Sequence, residues 1–134
     1  MSRISEDLRA QVRERAVGRC EYCFKPEIVS AYGFHVDHII PPQHGGTDEP
    51  DNLAWACFEC NVSKGRDVSS YDFVTRQLTP LYHPRRQRWP DHFEFRQAVI
   101  VGLTDIGRVT VRILDLNHPS QLETRQALMD VGVW

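Results

Sequence analysis

All four cysteines of this chain fall in two Cys-x-x-Cys pairs, Cys20 with Cys23 and Cys57 with Cys60. No other feature restricts the fold as strongly. Two thiolates on one tight turn can share a tetrahedral ion, and a second such turn completes a four-sulfur site with bonds of about 2.3 Å. Disulfides need an oxidising compartment that nothing here signals, and a redox Cys-x-x-Cys needs no second copy. Structural zinc is therefore favoured over disulfides or free thiols. A closed four-sulfur site leaves no open position, so such an ion holds the fold and does not take part in chemistry.

The 134 residues suffice for one domain with a modest core and are too few for two independent ones. No apolar run approaches the roughly 18 residues that span a bilayer. The start, MSRISEDLRAQVRER, has no apolar core of a leader, which predicts a cytoplasmic protein without a membrane segment. The formal net charge of −2 gives no overall case for nucleic-acid binding. Locally the balance differs: Lys64, Arg66, Arg76, Arg85, Arg86 and Arg88 face only Asp67 and Asp72 between Val62 and Arg88. Standing alone, that run reads equally well as a solvated face.

Ser5 followed by Glu6 and Asp7, with Leu8, Val12 and Ala16 at four-residue steps and Gly18 beyond, predicts an amphipathic helix over Ser5–Val17. Ile28–Ile40 is rich in β-branched and aromatic residues with Gly33 inside, which predicts two short strands or a bent hairpin. Prolines and glycines make Pro41–Asp51 an exposed loop; Leu53–Ala56 reads as a returning strand and Glu59–Lys64 as a short helix. Beyond Gly65, Tyr71–Leu81 is expected to be extended, Ala98–Leu103 a strand and Thr104–Leu116 a helix. A terminal helix over Ser120–Val131 would bury Leu122, Ala127 and Leu128. Trp89 and Phe93 read as core residues.

Between the two cysteine pairs lies FHVDHII. An ionised Asp at the end of an apolar strand is costly to bury without a partner. Asp37 and Asn61 offer the hard oxygen donors that Mg²⁺ prefers, with water and a phosphate filling the remaining positions. His38 beside Asp37 can act as a general base. An Asp-His pair by itself is more often a strand-end ion pair.

HVDHIIP, GGTDEPDNL and CFECNVSKG, in this order and spacing, change that balance, because together they resemble the HNH endonucleases of the His-Me finger group, in the subtype with two Cys-x-x-Cys knuckles. The resemblance covers about Arg19–Arg66. It implies an α+β fold: a ββα-metal finger with a structural four-cysteine zinc site, an N-terminal helix and a mixed C-terminal extension over about 69–134, in one nuclease domain. It implies metal-dependent hydrolysis of DNA to 5′-phosphate and 3′-hydroxyl ends, with structural Zn²⁺ and a catalytic Mg²⁺ or Mn²⁺. His38 is then the general base, Asp37 and Asn61 the ligands of the catalytic ion, and Asn52 the residue that braces the loop and orients the His. Asn at position 61, where His is common, keeps an oxygen ligand.

Adjacent side chains on a strand face opposite ways, so regular pairing is expected to stop at Asp37 if both Asp37 and His38 are to reach one site. His35, on the Asp37 face, is a candidate contact to the phosphate or ion, the alternative being a plain strand histidine. Lys64, Arg66, Arg85 and Arg86 follow the finger helix and are read as phosphate contacts. The rival reading is a zinc-knuckle nucleic-acid-binding module without cleavage, and an RNA substrate is a third.

Overall fold

The Ser5 side chain accepts a hydrogen bond from the Leu8 amide at 3.1 Å and opens helix α1, Glu6–Arg15, in the computed structural model, which describes residues 4–134. The helix ends two residues earlier than predicted, where Val17 and Gly18 adopt φ of 56° and 67°. Val12 is its buried residue. Its arginines reach further: Arg9 lies over the Trp55 ring at 4.7 Å, and Arg15 donates to the carbonyls of Pro50 (2.9 Å) and Leu53 (2.5 Å).

Arg19 bridges to Pro26 around the first cysteine pair. The β-branched run that follows does not form the two strands expected of it. Glu27–Val29 is a 3-10 turn, tied to the cysteine turn by the Glu27 amide on the Gly18 carbonyl at 2.9 Å, and Ile28 is 91% exposed. Local propensity yields here to the closure of the cysteine turn. One strand remains, β1 (His35–His38), and it pairs antiparallel with β2 (Leu53–Ala56). Every residue of β2 is buried. Pairing does not stop at Asp37: His38 is opposite Leu53, and the Ile39 amide still donates to the Asn52 carbonyl at 2.9 Å. Helix α2, Phe58–Lys64, starts at Cys57 as its N-cap and stops at Gly65. The order strand, loop, strand, helix is the ββα finger.

The connecting loop contains two 3-10 turns, Pro42–His44 and Pro50–Asn52. Gly46 is required where the loop folds back, since a Cβ there would stand 1.5 Å from the Ile40 carbonyl oxygen.

The chain divides into two compact units, the first ending at Val68 and the second spanning Ser69–Trp134. The second contains a hairpin of β3 (Ser69–Asp72) and β4 (Gln77–Pro80), a short helix α3 (Trp89–His92), and a hairpin of β5 (Phe93–Arg96) and β6 (Val99–Gly102). Helix α4 (Asp105–Ile113) packs on both hairpins, and α5 (Pro119–Asp130) ends the chain. Contact between β6 and α4 depends on two glycines: a Cβ on Gly107 would lie 2.1 Å from the His92 carbonyl oxygen, and one on Gly102 would lie 2.5 Å from the Arg108 nitrogen. Phe93 is buried and meets Tyr82 edge-on at 5.2 Å, whereas Trp89 is only half-buried and stacks on Phe93 at 5.1 Å.

In α5 the expected core residues are displaced. Ala127 is exposed, Leu122 and Leu128 are half-buried, and the buried residue is Arg125. Its guanidinium donates to the carbonyls of Ala98 (2.6 Å) and Leu116 (2.8 Å), so it satisfies backbone acceptors that an apolar side chain would leave bare.

Asp72, buried on β3, receives two bonds from Arg108, at 3.1 and 3.0 Å, and one from the Thr75 amide at 3.0 Å. The Arg108 guanidinium holds this carboxyl far below the ordinary carboxylate range. A carboxyl depressed in the folded state contributes stability above its unfolded pKa of about 3.9 and loses it as pH falls toward the folded value. Asp72→Asn should therefore lower the melting temperature at neutral pH, and the gap to wild type should narrow below about pH 4 in thermal scans across pH.

Candidate active site and metal centre

The four cysteine side chains are buried, unbonded to one another as disulfides, and their sulfurs all lie within 4.8 Å of each other. The Cys23 and Cys57 sulfurs are 3.8 Å apart. A tetrahedral ion with bonds of about 2.3 Å requires a sulfur spacing close to that. Each half of the cluster is built locally. The Cys20 amide donates to the Lys25 carbonyl and the Phe24 amide to the Cys20 carbonyl, at 3.0 and 2.9 Å, with Phe24 at φ 65°. On the other side the Cys57 sulfur accepts from the Cys60 amide at 3.4 Å, as the cap of α2. Lys25 ties the halves together through an ion pair with Glu59 at 3.0 Å.

The thiol chemistry calls for a cation. Neighbouring sulfurs, and then burial, push Cys57 and Cys60 well above the ordinary thiol range, while Cys20, despite its burial, is pulled down by bonds from the other thiols. Four buried thiols can shed their protons together only around a positive ion, and the donor set and spacing fit Zn²⁺.

Next to the cluster, a cleft of about 510 Å³ is lined by Val36, Asp37, His38, Pro41, Pro42, Gln43, Asn61, Gly65 and Arg66. Asp37, His38 and Asn61 thus share one site although β1 pairs regularly through Asp37 and His38, because the cleft wraps around the strand's end. Asp37 is only 4% exposed; its Oδ2 accepts from the Tyr22 hydroxyl at 2.6 Å and its Oδ1 from the Lys64 ammonium at 3.1 Å. Burial pushes its carboxyl above the ordinary range even with the Lys64 charge and Tyr22 hydroxyl opposing. Burial first, then the Asp37 charge, pushes the Tyr22 phenol up as well. The oxygen donors that Asp37 and Asn61 bring to the cleft are of the kind a hard divalent cation takes.

Lys64 departs from its predicted role. It is 1% exposed, paired with Asp37 and with the His38 carbonyl at 3.1 Å, so it does not reach a phosphate from outside. The helical phase of α2 turns it inward. Arg66, exposed, stands at the rim of the cleft. His35 is exposed and sits against the Phe58 ring at 6.3 Å, away from the cleft lining. Arg85 and Arg86 belong to the second unit, half-buried and exposed respectively.

Asn52 is buried and its side chain makes three bonds: it accepts from the Ile40 amide (2.9 Å) and donates to the carbonyls of Ile40 (2.9 Å) and Thr47 (2.8 Å). It closes the loop onto the end of β1. The residue missed from sequence is Asp48, whose Oδ1 is 2.7 Å from His38 Nε2. A carboxylate following a Gly-Gly turn was the available signal, but a surface loop with Asp48, Glu49 and Asp51 offers no pattern that singles one out.

The ββα finger thus carries both a four-cysteine cluster and a cleft lined by Asp37, His38 and Asn61. Residues 20–67 match the family model described as HNH endonuclease. No curated protein and no solved structure matches the chain. Among the described residues no helix is long and apolar enough to cross a membrane.

Replacing Cys57 by Ala removes both a sulfur and the cap of α2. The variant should lose its zinc, and with it most of the stability of the first unit, since structural zinc contributes on the order of 10 kcal/mol in small domains. Zinc content by metal analysis and melting by circular dichroism check this. A Cys57→Ala protein with normal melting would refute the structural role.

Proposed function

We propose that this chain is a metal-dependent endonuclease hydrolysing phosphodiester bonds in DNA. The observation that carries the reading is one cleft lined by Asp37, His38, Asn61 and Arg66 within the segment that matches the HNH family model. Asp37 and Asn61 would hold Mg²⁺ or Mn²⁺, which supplies Lewis-acid stabilisation of the charge on the phosphate and leaving oxygen. His38 takes the proton from the attacking water. Arg66 at the rim meets the backbone phosphates. Asn52 keeps the loop, and so the surroundings of His38, in place.

The test is cleavage of supercoiled plasmid with Mg²⁺, Mn²⁺ or EDTA. Wild type should nick or linearise the plasmid only with the ion present, and His38→Ala, at matched zinc content and melting temperature, should be slower by about 10² or more. Unchanged cleavage by His38→Ala would remove it from the mechanism. Failure of the zinc-loaded protein with every ion would favour a binding module or an RNA substrate.

Arg66→Ala should weaken DNA binding across sequences and reduce the salt dependence of the affinity by roughly one phosphate contact, as measured by fluorescence anisotropy at several salt concentrations.

A further inference from the structure

We propose that Asp48 is a positioning residue for His38, fixing its ring and tautomer so that Nδ1 is the nitrogen left to act as base. This rests on the nuclease reading for its consequence in catalysis, but the pairing itself stands on geometry. A carboxylate only accepts hydrogen bonds. With Asp48 Oδ1 at 2.7 Å from Nε2, a neutral imidazole must place its one proton on Nε2, and Nδ1 keeps its lone pair.

The Asp48 side chain is 39% exposed, and the backbone beneath it helps to set its position. That backbone is held on both sides. Before it, the Thr47 carbonyl accepts from the Asn52 side chain at 2.8 Å. After it, the Glu49 amide donates to the Thr47 hydroxyl at 3.2 Å, and the Glu49 carbonyl accepts from the Asn52 amide at 2.8 Å. Upstream, the Gly46 amide donates to the Pro41 carbonyl at 3.1 Å, in the place where only glycine fits against Ile40. Asn52 thus acts on His38 in two ways: it closes the loop at Ile40, and through Thr47 it delivers Asp48 to the ring.

The experiment has two independent readouts. Nitrogen-15 correlation spectra of the imidazoles, with the His38 signal assigned by its loss in His38→Ala, report the tautomer of the neutral ring without any substrate. Plasmid cleavage gives kcat and KM. Wild type should show His38 protonated on Nε2. Asp48→Ala should show a mixture of tautomers and a kcat lower by about 10- to 100-fold with KM and melting temperature unchanged. Asp48→Asn, which retains an acceptor oxygen, should recover the Nε2-protonated signature and part of the rate, and Glu49→Ala should behave as wild type.

An unchanged His38 signature in Asp48→Ala overturns the proposal, whether or not the rate falls, because Asp48 would then not act through the ring. A wild-type ring protonated on Nδ1 overturns it too. A tautomer shift in Asp48→Ala together with a wild-type protein that cleaves nothing would uphold the pairing and defeat the nuclease reading instead.

Discussion

The first unit depends on the convergence of four sulfurs. Their cluster joins the turn after α1 to the junction between β2 and α2, two stretches that share little else in sequence. Because Cys57 is both a sulfur donor and the cap of α2, the cluster also sets where that helix starts and how it is rotated. Asn61, directly after Cys60, is thereby turned to the cleft, and Lys64, one turn on from Cys60, to Asp37. The sulfurs thereby decide which helix faces confront β1.

The opposite side of the cleft is framed without metal. Asn52 uses both its amide oxygen and its amide nitrogen on a loop that must reverse over the end of a strand, and Arg15 grips the carbonyls of Pro50 and Leu53 from α1. Each of these bonds answers a backbone group that pairing within the short sheet leaves open. A few such bonds to well-placed carbonyls fix a loop rich in glycine and proline.

What could be read in the sequence was what depends on local chemistry. The Ser5 cap, the short apolar β2 and the cysteine spacing each have a physical cause within a few residues of themselves, and the finger followed from their order. What could not be read depends on distant partners. Ile28 belongs to a run with strand composition, but the cysteine turn claims its neighbours. Lys64 sits in a basic run that suggests solvent, and only the rotation of α2 reveals that it is buried. Arg125 replaces the leucines expected in the core of the second unit because the carbonyls of Ala98 and Leu116, far away in sequence, need a donor. Asp48 is one of several loop acids until the loop's closure chooses it.

The Lys64–Asp37 pair has a consequence for how such a centre can exist at all. A carboxylate kept ready for a cation is a liability while the chain is folding, since it must leave water with nothing opposite it. Here the chain supplies its own counter-charge from α2 and a phenol hydroxyl from the first cysteine turn, so the acid is accompanied before any second ion arrives. An ion at the proposed centre could then come and go with its medium without the polypeptide having to be rebuilt around an orphaned charge, while an ion among the sulfurs would belong to the architecture.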